Sequence, residues 1–200
     1  MAIDSFMVFK PYNAAALKAE SQVALKGKMA GTEPLATDSG FAFKTFVDGQ
    51  QVFEVEDYSF DTEQQLNIGS QSSGTGAGKV TFNPFSITRK IDLSSPFFFQ
   101  MHCAGTPFET VYLCLRKSAG TADQEQSSGL IFLRYDFKMV AIKTISWSHD
   151  DEAPKETMTF EYGGLQIRYT LQKPDGSMDT VKVGGWNRVR NTSDVLPGAI

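Results

Sequence analysis

The chain has 200 residues, which suits one domain or one domain with an elaboration, and 41% of them are hydrophobic, including 16 Phe that can fill a core. A formal net charge of −4 without a long basic run argues against a nucleic-acid partner, because such binding is driven by clustered Lys and Arg. No run approaches 18 consecutive apolar residues, so no membrane-inserted helix is expected.

Asp4 interrupts the N-terminus and no basic region precedes a long apolar stretch, so no cleaved signal peptide is expected. Ile3 to Phe9 reads as a short strand. From Tyr12 to Ser39 the chain is richer in Ala, Lys and Gly. Ala14 to Leu25 reads either as three turns of weak helix ending near Gly27 or as an irregular excursion, since Ser21 and Val23 dilute the helical signal. Phe41, Phe43 and Thr45 alternate ahead of an Asp48-Gly49 turn, so a hairpin is expected to lead into Val52 to Phe60. Phe53 and Val55 share one face there, and Tyr58 and Phe60 fall on the other. A bulge near Glu56-Asp57, or a strand covered on both faces, reconciles them.

Gly69 to Lys79 is almost wholly Gly, Ser, Thr and Gln, and turns into a strand-like run from Val80 to Ile91. Gly74, Gly76 and Gly78 are spaced two apart, but neither phosphate-binding pattern fits. A Walker loop ending at Gly78-Lys79 needs Gly at 73 and a hydroxyl at 80, where the chain has Ser73 and Val80. The dinucleotide fingerprint needs Gly at 79 and a following helix, and the chain has Lys79 followed by a β-branched, aromatic run. A long hairpin connection, able to reach a neighbouring subunit, fits the composition better. In the strand that follows, Val80 and Phe82 are in one phase and Phe85, Ile87 and Ile91 in the other, with the slip at Asn83-Pro84.

Asp92 to Gly105 carries the best helix signals. Ser94 or Ser95 can cap it, Pro96 sits in its first turn and Gly105 ends it. Val111, Leu113 and Leu115 then alternate as a strand. After a polar loop at Ala119 to Ser128, Ile131, Leu133, Tyr135, Phe137 and Met139 alternate, and Ile145 and Trp147 continue in another strand. Met158, Phe160 and Tyr162 alternate until Gly163-Gly164, after which Leu165, Ile167 and Tyr169 resume. Pro174-Asp175-Gly176 is a turn, and Val181 to Trp186 is the last strand. The sum is about nine strands and one short helix. Strands that follow one another without helices between them predict a mainly antiparallel sandwich or barrel. Arg134, Asp136, Lys138, Glu161, Gln166 and Arg168 read as a face that meets water.

No arrangement carries chemistry convincingly. His102-Cys103 with Cys114 is the only nucleophile-like grouping, and His102 sits among large apolar residues as a packed histidine would. Two cysteines make no disulfide scaffold and read as small hydrophobes of a chain folded in a reducing compartment. His149 to Glu152 reads as a solvated turn rather than a carboxylate site. Neither a Gly-x-Ser-x-Gly elbow nor His-Glu-x-x-His occurs. No catalytic residue, metal or cofactor is expected.

Six stretches, in order, resemble the hemolysin-coregulated protein (Hcp) family of the type VI secretion system. They are IDSFMVF; GTGAGKV; ITRKIDLSSP with the helix FFFQMHCAG; VYLCLRKSAG; FLRYDFKMVAIKTISWS; and YTLQKPDG with Gly185-Trp186-Asn187. The resemblance covers residues 1–10 and 50–192 and fails at 11–49, where family members have a shorter segment. It implies a tail-tube-like β-barrel or two-sheet fold with one short flanking helix, as a single domain over 1–192 with an atypical insertion at 11–49 and a flexible tail at 193–200. It further implies hexameric rings, stacked into a hollow tube that is ejected from the cell with effectors. The implied partners are further copies of the chain, the sheath, the spike and small effector proteins. The chain would be made in the bacterial cytoplasm and leave without a cleaved signal. Gly69, Ser70, Gln71, Ser72, Gly74, Gly76, Gly78 and Lys79 become a candidate ring-stacking loop, and Ser59 a candidate lumen residue. A plain solvated loop is the alternative for 69–79. For the chain as a whole the alternative is a monomeric β-barrel ligand-binding module or hydrolase, with His102 or the His149–Glu152 turn near its site.

Overall fold

The computed structural model describes residues 3–12, 53–67, 76–117, 130–149, 152–171, 173–174 and 179–193. The segments expected as a weak helix at 14–25 and a strand at 41–46 lie outside them, as do residues 194–200 of the tail. The described chain forms ten strands and one helix: β1 (Ile3–Pro11), β2 (Phe53–Glu54), β3 (Asp57–Ser59), β4 (Thr62–Asn67), β5 (Gly76–Phe82), β6 (Phe85–Lys90), α1 (Ser95–Ala104), β7 (Phe108–Lys117), β8 (Leu130–His149), β9 (Pro154–Tyr169) and β10 (Lys182–Asn187).

The main sheet is antiparallel throughout, in the order β2-β1-β7-β8-β9-β6-β3, with β10 also paired to β9. Its two ends are joined by the chain itself. Val55 N donates to Ser5 O of β1 at 3.1 Å, and the next residue, Glu56, donates from N to Thr88 O of β6 at 2.9 Å. One dipeptide therefore ties both ends of the order, and the sheet curls into a barrel with few open edges. This explains the phase slip between Val55 and Tyr58. It is not a bulge in one strand but a corner between β2, paired with β1, and β3, paired with β6. The slip at Asn83-Pro84 has the same cause, because β5 pairs with β4 in a separate two-stranded sheet and β6 joins the barrel. Proline donates no backbone hydrogen bond, so it suits the junction.

β8 and β9 form the backbone of the fold. Where two strands were expected, β8 runs unbroken for 20 residues, and β9 passes through Gly163-Gly164 for 16. Core-facing pairs run Tyr169 with Leu133, Ile167 with Tyr135 and Leu165 with Phe137. After a first change of phase they continue as Tyr162 with Val140 and Phe160 with Ile142, and after a register shift between Ile142 and Thr144 as Met158 with Ile145 and Glu156 with Trp147. The first change falls at Met139, whose φ of 51° lies in the left-handed region. Met139 was expected to point inward with Phe137. It is instead exposed, and Val140 takes the inward place. Facing it is Gly163, where a Cβ would lie 3.2 Å from Met139 Cβ and 3.4 Å from Val189 Cγ2. The glycine is required by this close approach.

Inside the barrel, Phe85 stacks on Phe137 and Phe160 with centroids 4.1 and 4.7 Å apart. Phe9 contacts Phe53, Phe98 and Phe108 at 4.9–5.2 Å. Aromatic packing of this kind dominates core energetics because each ring removes roughly 150–250 Å² from water. Helix α1 packs on the core and contributes buried Phe98 and Met101. Its C-terminus closes on Gly105 at φ 64°, with Gly105 N donating to His102 O and Thr106 N to Met101 O. Both orphan carbonyls are thereby satisfied.

One expectation fails outright. Arg134, Asp136 and Arg168, read as a wet face, are 1%, 0% and 6% exposed. The strand neighbour opposite supplies the reason: Tyr112 pairs with Asp136 and Cys114 with Arg134, and both are buried. Asp136 accepts from Arg134 Nε and Nη2, and Arg168 Nε approaches it at 3.3 Å. Arg134 also lies 4.9 Å over the Tyr112 ring. Charges this deep persist only when paired and hydrogen-bonded.

Candidate functional site

β4 and β5 form an arm whose strands, among the described residues, pair only with each other. Its register runs from Thr62 opposite Phe82 to Asn67 opposite Gly76, with an irregularity between Gln64 and Leu66. β5 begins at Gly76, four residues before the strand expected from Val80, so the backbone at Gly76, Gly78 and Lys79 is strand rather than loop. Gly69, Ser70, Gln71, Ser72 and Gly74 lie outside the described residues.

The root of the arm is fixed at three points. Asn83 N donates to Asp61 O at 3.1 Å, and Asn83 Nδ2 to Asp61 Oδ2 at 2.9 Å. Phe82 is buried edge-on against Tyr162, with centroids 6.1 Å apart. Phe60 packs edge-on against Tyr135 and Phe137. Burial pushes the Tyr162 phenol up to about 12, and its Oη has no hydrogen-bond partner among the described residues. Ser59 sits on β3 between inward Tyr58 and Phe60, paired across to Ser86, and its side chain is exposed.

A second anchor holds α1. Arg89 is 2% exposed and forms the hub. Its Nε donates to Glu156 Oε1 at 2.8 Å, and its Nη2 donates to Asp92 Oδ1, Ser94 Oγ and Ser95 Oγ at 2.9–3.0 Å. The guanidinium also lies 5.1 Å from the Phe53 ring centre and 5.0 Å from that of Phe98. Burial opposes the Asp92 carboxylate, but hydrogen bonds from Arg89 and Ser94 outweigh it and lower its pKa. The expected side-chain cap from Ser94 is absent: its hydroxyl joins this network, donating to Asp92 Oδ1 and accepting from Arg89. Arg89 was legible as an inward residue, since it shares phase with Phe85 and Ile87. Arg134 and Asp136 carried no such mark on their own strand.

The nucleophile-like residues do not assemble. Cys103 is exposed on α1. Cys114 is buried in β7, where burial pushes its thiol up to about 12. His102 Nδ1 lies 3.3 Å from Ile142 O, while His149 ends β8 on the surface. Among the described residues no group of three His, Cys, Asp or Glu side chains could hold a metal, and no helix is long and apolar enough to cross a membrane.

The described fold is a curled antiparallel barrel that carries a two-stranded arm. The model of the type VI secretion family described as "Type VI secretion system effector, Hcp" matches residues 47–169. The chain belongs to the Hcp family. Protein hcp1 of Pseudomonas aeruginosa is 31% identical over 116 residues, which are 56% of this chain and 68% of that protein. The fold resembles a solved type six secretion system protein with a TM-score of 0.72 at 18% identity, covering 96% of this chain and all of the other. It also resembles Hcp1 from Salmonella typhimurium, with a TM-score of 0.62 at 20% identity, covering 97% and 100%. Hcp proteins are structural tube components that are secreted, and the family is not an enzyme family. Membership makes this chain a tube subunit of the type VI secretion system.

Proposed function

We propose that six copies of the chain close into a ring and that rings stack into a hollow tube, which the secretion apparatus ejects with small effectors inside. The chain acts in this as a structural element and not as a catalyst. The observation that carries the proposal is the arm: a two-stranded extension, clamped at Asp61-Asn83 and rooted by Phe82, whose strands pair only with each other among the described residues. In this reading Gly69 to Lys79 reaches the next ring, because a polar, side-chain-poor tip can lie against another backbone. Ser59, small and exposed between two anchored aromatic rings, faces the lumen cargo. The sheath surrounds the tube and the spike caps it. Synthesis is cytoplasmic, and the chain leaves the cell by ejection.

The test is negative-stain microscopy with mass measurement in solution. Six-fold rings with open centres are expected. Replacing residues 68–75 by a two-residue turn should leave rings intact and abolish stacks. A monomer at high concentration would sink the tube proposal, and unchanged stacking would sink the role of the arm.

A further inference from the structure

The inward side of the β8/β9 ribbon is longer than its cover. In its middle, Phe137, Val140, Met158 and Phe160 are fully buried. At one end the series closes on Trp147, 54% exposed, with Phe99 of α1 beside it at 5.8 Å between centroids and at 46% exposure. These rings border a hollow of about 330 Å³ shared with Ile91 and Pro96, near exposed Leu93. At the other end the series closes on Ile167 and Tyr169, each 40% exposed, followed by Leu171 at 54%. Between Glu156, opposite Trp147, and Ile167 the strand advances on the order of 35 Å along its contour. Neither end can cover the other within one chain.

From this we propose that the two ends cover each other between copies: the Phe99–Trp147 end of one chain docks on the Ile167–Tyr169–Leu171 end of the next. The occupant is a second copy because the missing cover is apolar at both ends of the same ribbon. The areas also match. The exposed fractions give roughly 400 Å² at the helix end and roughly 300 Å² at the strand end, taking about 150–250 Å² per large side chain. Together that is about the apolar share of a standard interface of roughly 1,200–1,600 Å² in total. Each patch is of the size of the largest apolar patch on a typical monomer, which is often functional. Because the two patches differ, the contact is heterologous, and repeating it generates a ring or a filament rather than a dimer. The inference rests on the assembly reading above and assigns its surfaces.

Two variants test it. Phe99→Ser with Trp147→Ser removes the helix end, and Ile167→Thr with Tyr169→Thr removes the strand end while keeping strand propensity. Each alone should lose rings, with association weakened at least tenfold, and each should keep the circular dichroism of the unassembled chain. Mixed together they should recover one-to-one heterodimers and no larger species, since only one good contact can form per pair. Should the strand-end variant misfold, Leu171→Ser replaces it in the mixture. Rings that persist in both variants, or a mixture that stays monomeric, would overturn the docking while leaving the tube reading intact. A wild-type chain that never assembles would overturn both.

Discussion

Arg89→Met is the most informative single perturbation. Methionine preserves the apolar stem that crosses Phe53 and Phe98, so packing loss is small. What disappears is the guanidinium that faces two carboxylates and two hydroxyls. Glu156 is 0% exposed, and its Oε2 already lacks a hydrogen-bond partner among the described residues. Removing Arg89 leaves that carboxylate without its buried cation. Breaking a buried pair from one side costs about 3–5 kcal/mol, which at this chain length lowers Tm by roughly 6–20 °C. Denaturant unfolding at fixed protomer concentration reads the loss, since assembly would otherwise contribute to apparent stability. Arg89→Met with Glu156→Met should recover most of it, because two apolar groups replace a pair whose desolvation was costly. A loss under about 1 kcal/mol for the single variant, or no recovery in the double, would refute the view that this network is a buried, mutually dependent anchor for α1.

Gly163→Ala should cost about 1–2 kcal/mol, because the new Cβ meets Met139 Cβ, which the left-handed backbone cannot easily move. Met139→Gly should relieve about 1 kcal/mol of that conformation and rescue Gly163→Ala, as thermal unfolding of the four chains would show; additive losses would contradict the coupling. Tyr162→Phe deletes a buried hydroxyl with no hydrogen-bond partner among the described residues, so stability should hold or rise by up to about 1 kcal/mol; a clear loss in denaturant unfolding would reveal a partner. Asp92 and Glu161 both have lowered pKa values. For Glu161 burial works the other way, but hydrogen bonds from Lys143 and Arg188 outweigh it. A carboxylate whose folded pKa lies below its unfolded value stabilises above the unfolded value, and that contribution is lost as pH falls through the folded one. Stability should therefore decline below about pH 4, and carboxylate NMR of Arg188→Gln should show Glu161 titrating closer to its ordinary range. An unmoved titration would rule out Arg188 as a cause.

Much of the barrel was legible because alternation is a local property. Leu133, Tyr135 and Phe137 and then Met158, Phe160 and Tyr162 marked inward faces, and the helix between Ser94 and Gly105 announced itself by proline and glycine. The phase slips at residues 55–58, 83–84 and 163–164 were also visible. Their meaning was not, because a slip reads the same whether it is a bulge, a corner or a change of sheet. Only pairing partners distinguish them, and partners are set by residues far away in the chain. The arm follows this pattern. Its glycine-rich composition stood out, but its clasp joins Asp61 to Asn83, and nothing local announces that pair.

The sequence by itself determined the family, the mainly antiparallel class, the helix that ends at Gly105 and the inward face of most strands, since period-two apolar spacing selects a strand with one buried side. Tertiary structure alone decided that Val55-Glu56 closes the barrel and that Arg134 and Asp136 are buried. It also decided that the β8/β9 ribbon outruns its own cover. The physical reason is that burial belongs to a pair of surfaces. A strand states which side it wants covered, but what reaches that side, and whether it belongs to the same chain or the next, depends on how the whole sheet curls.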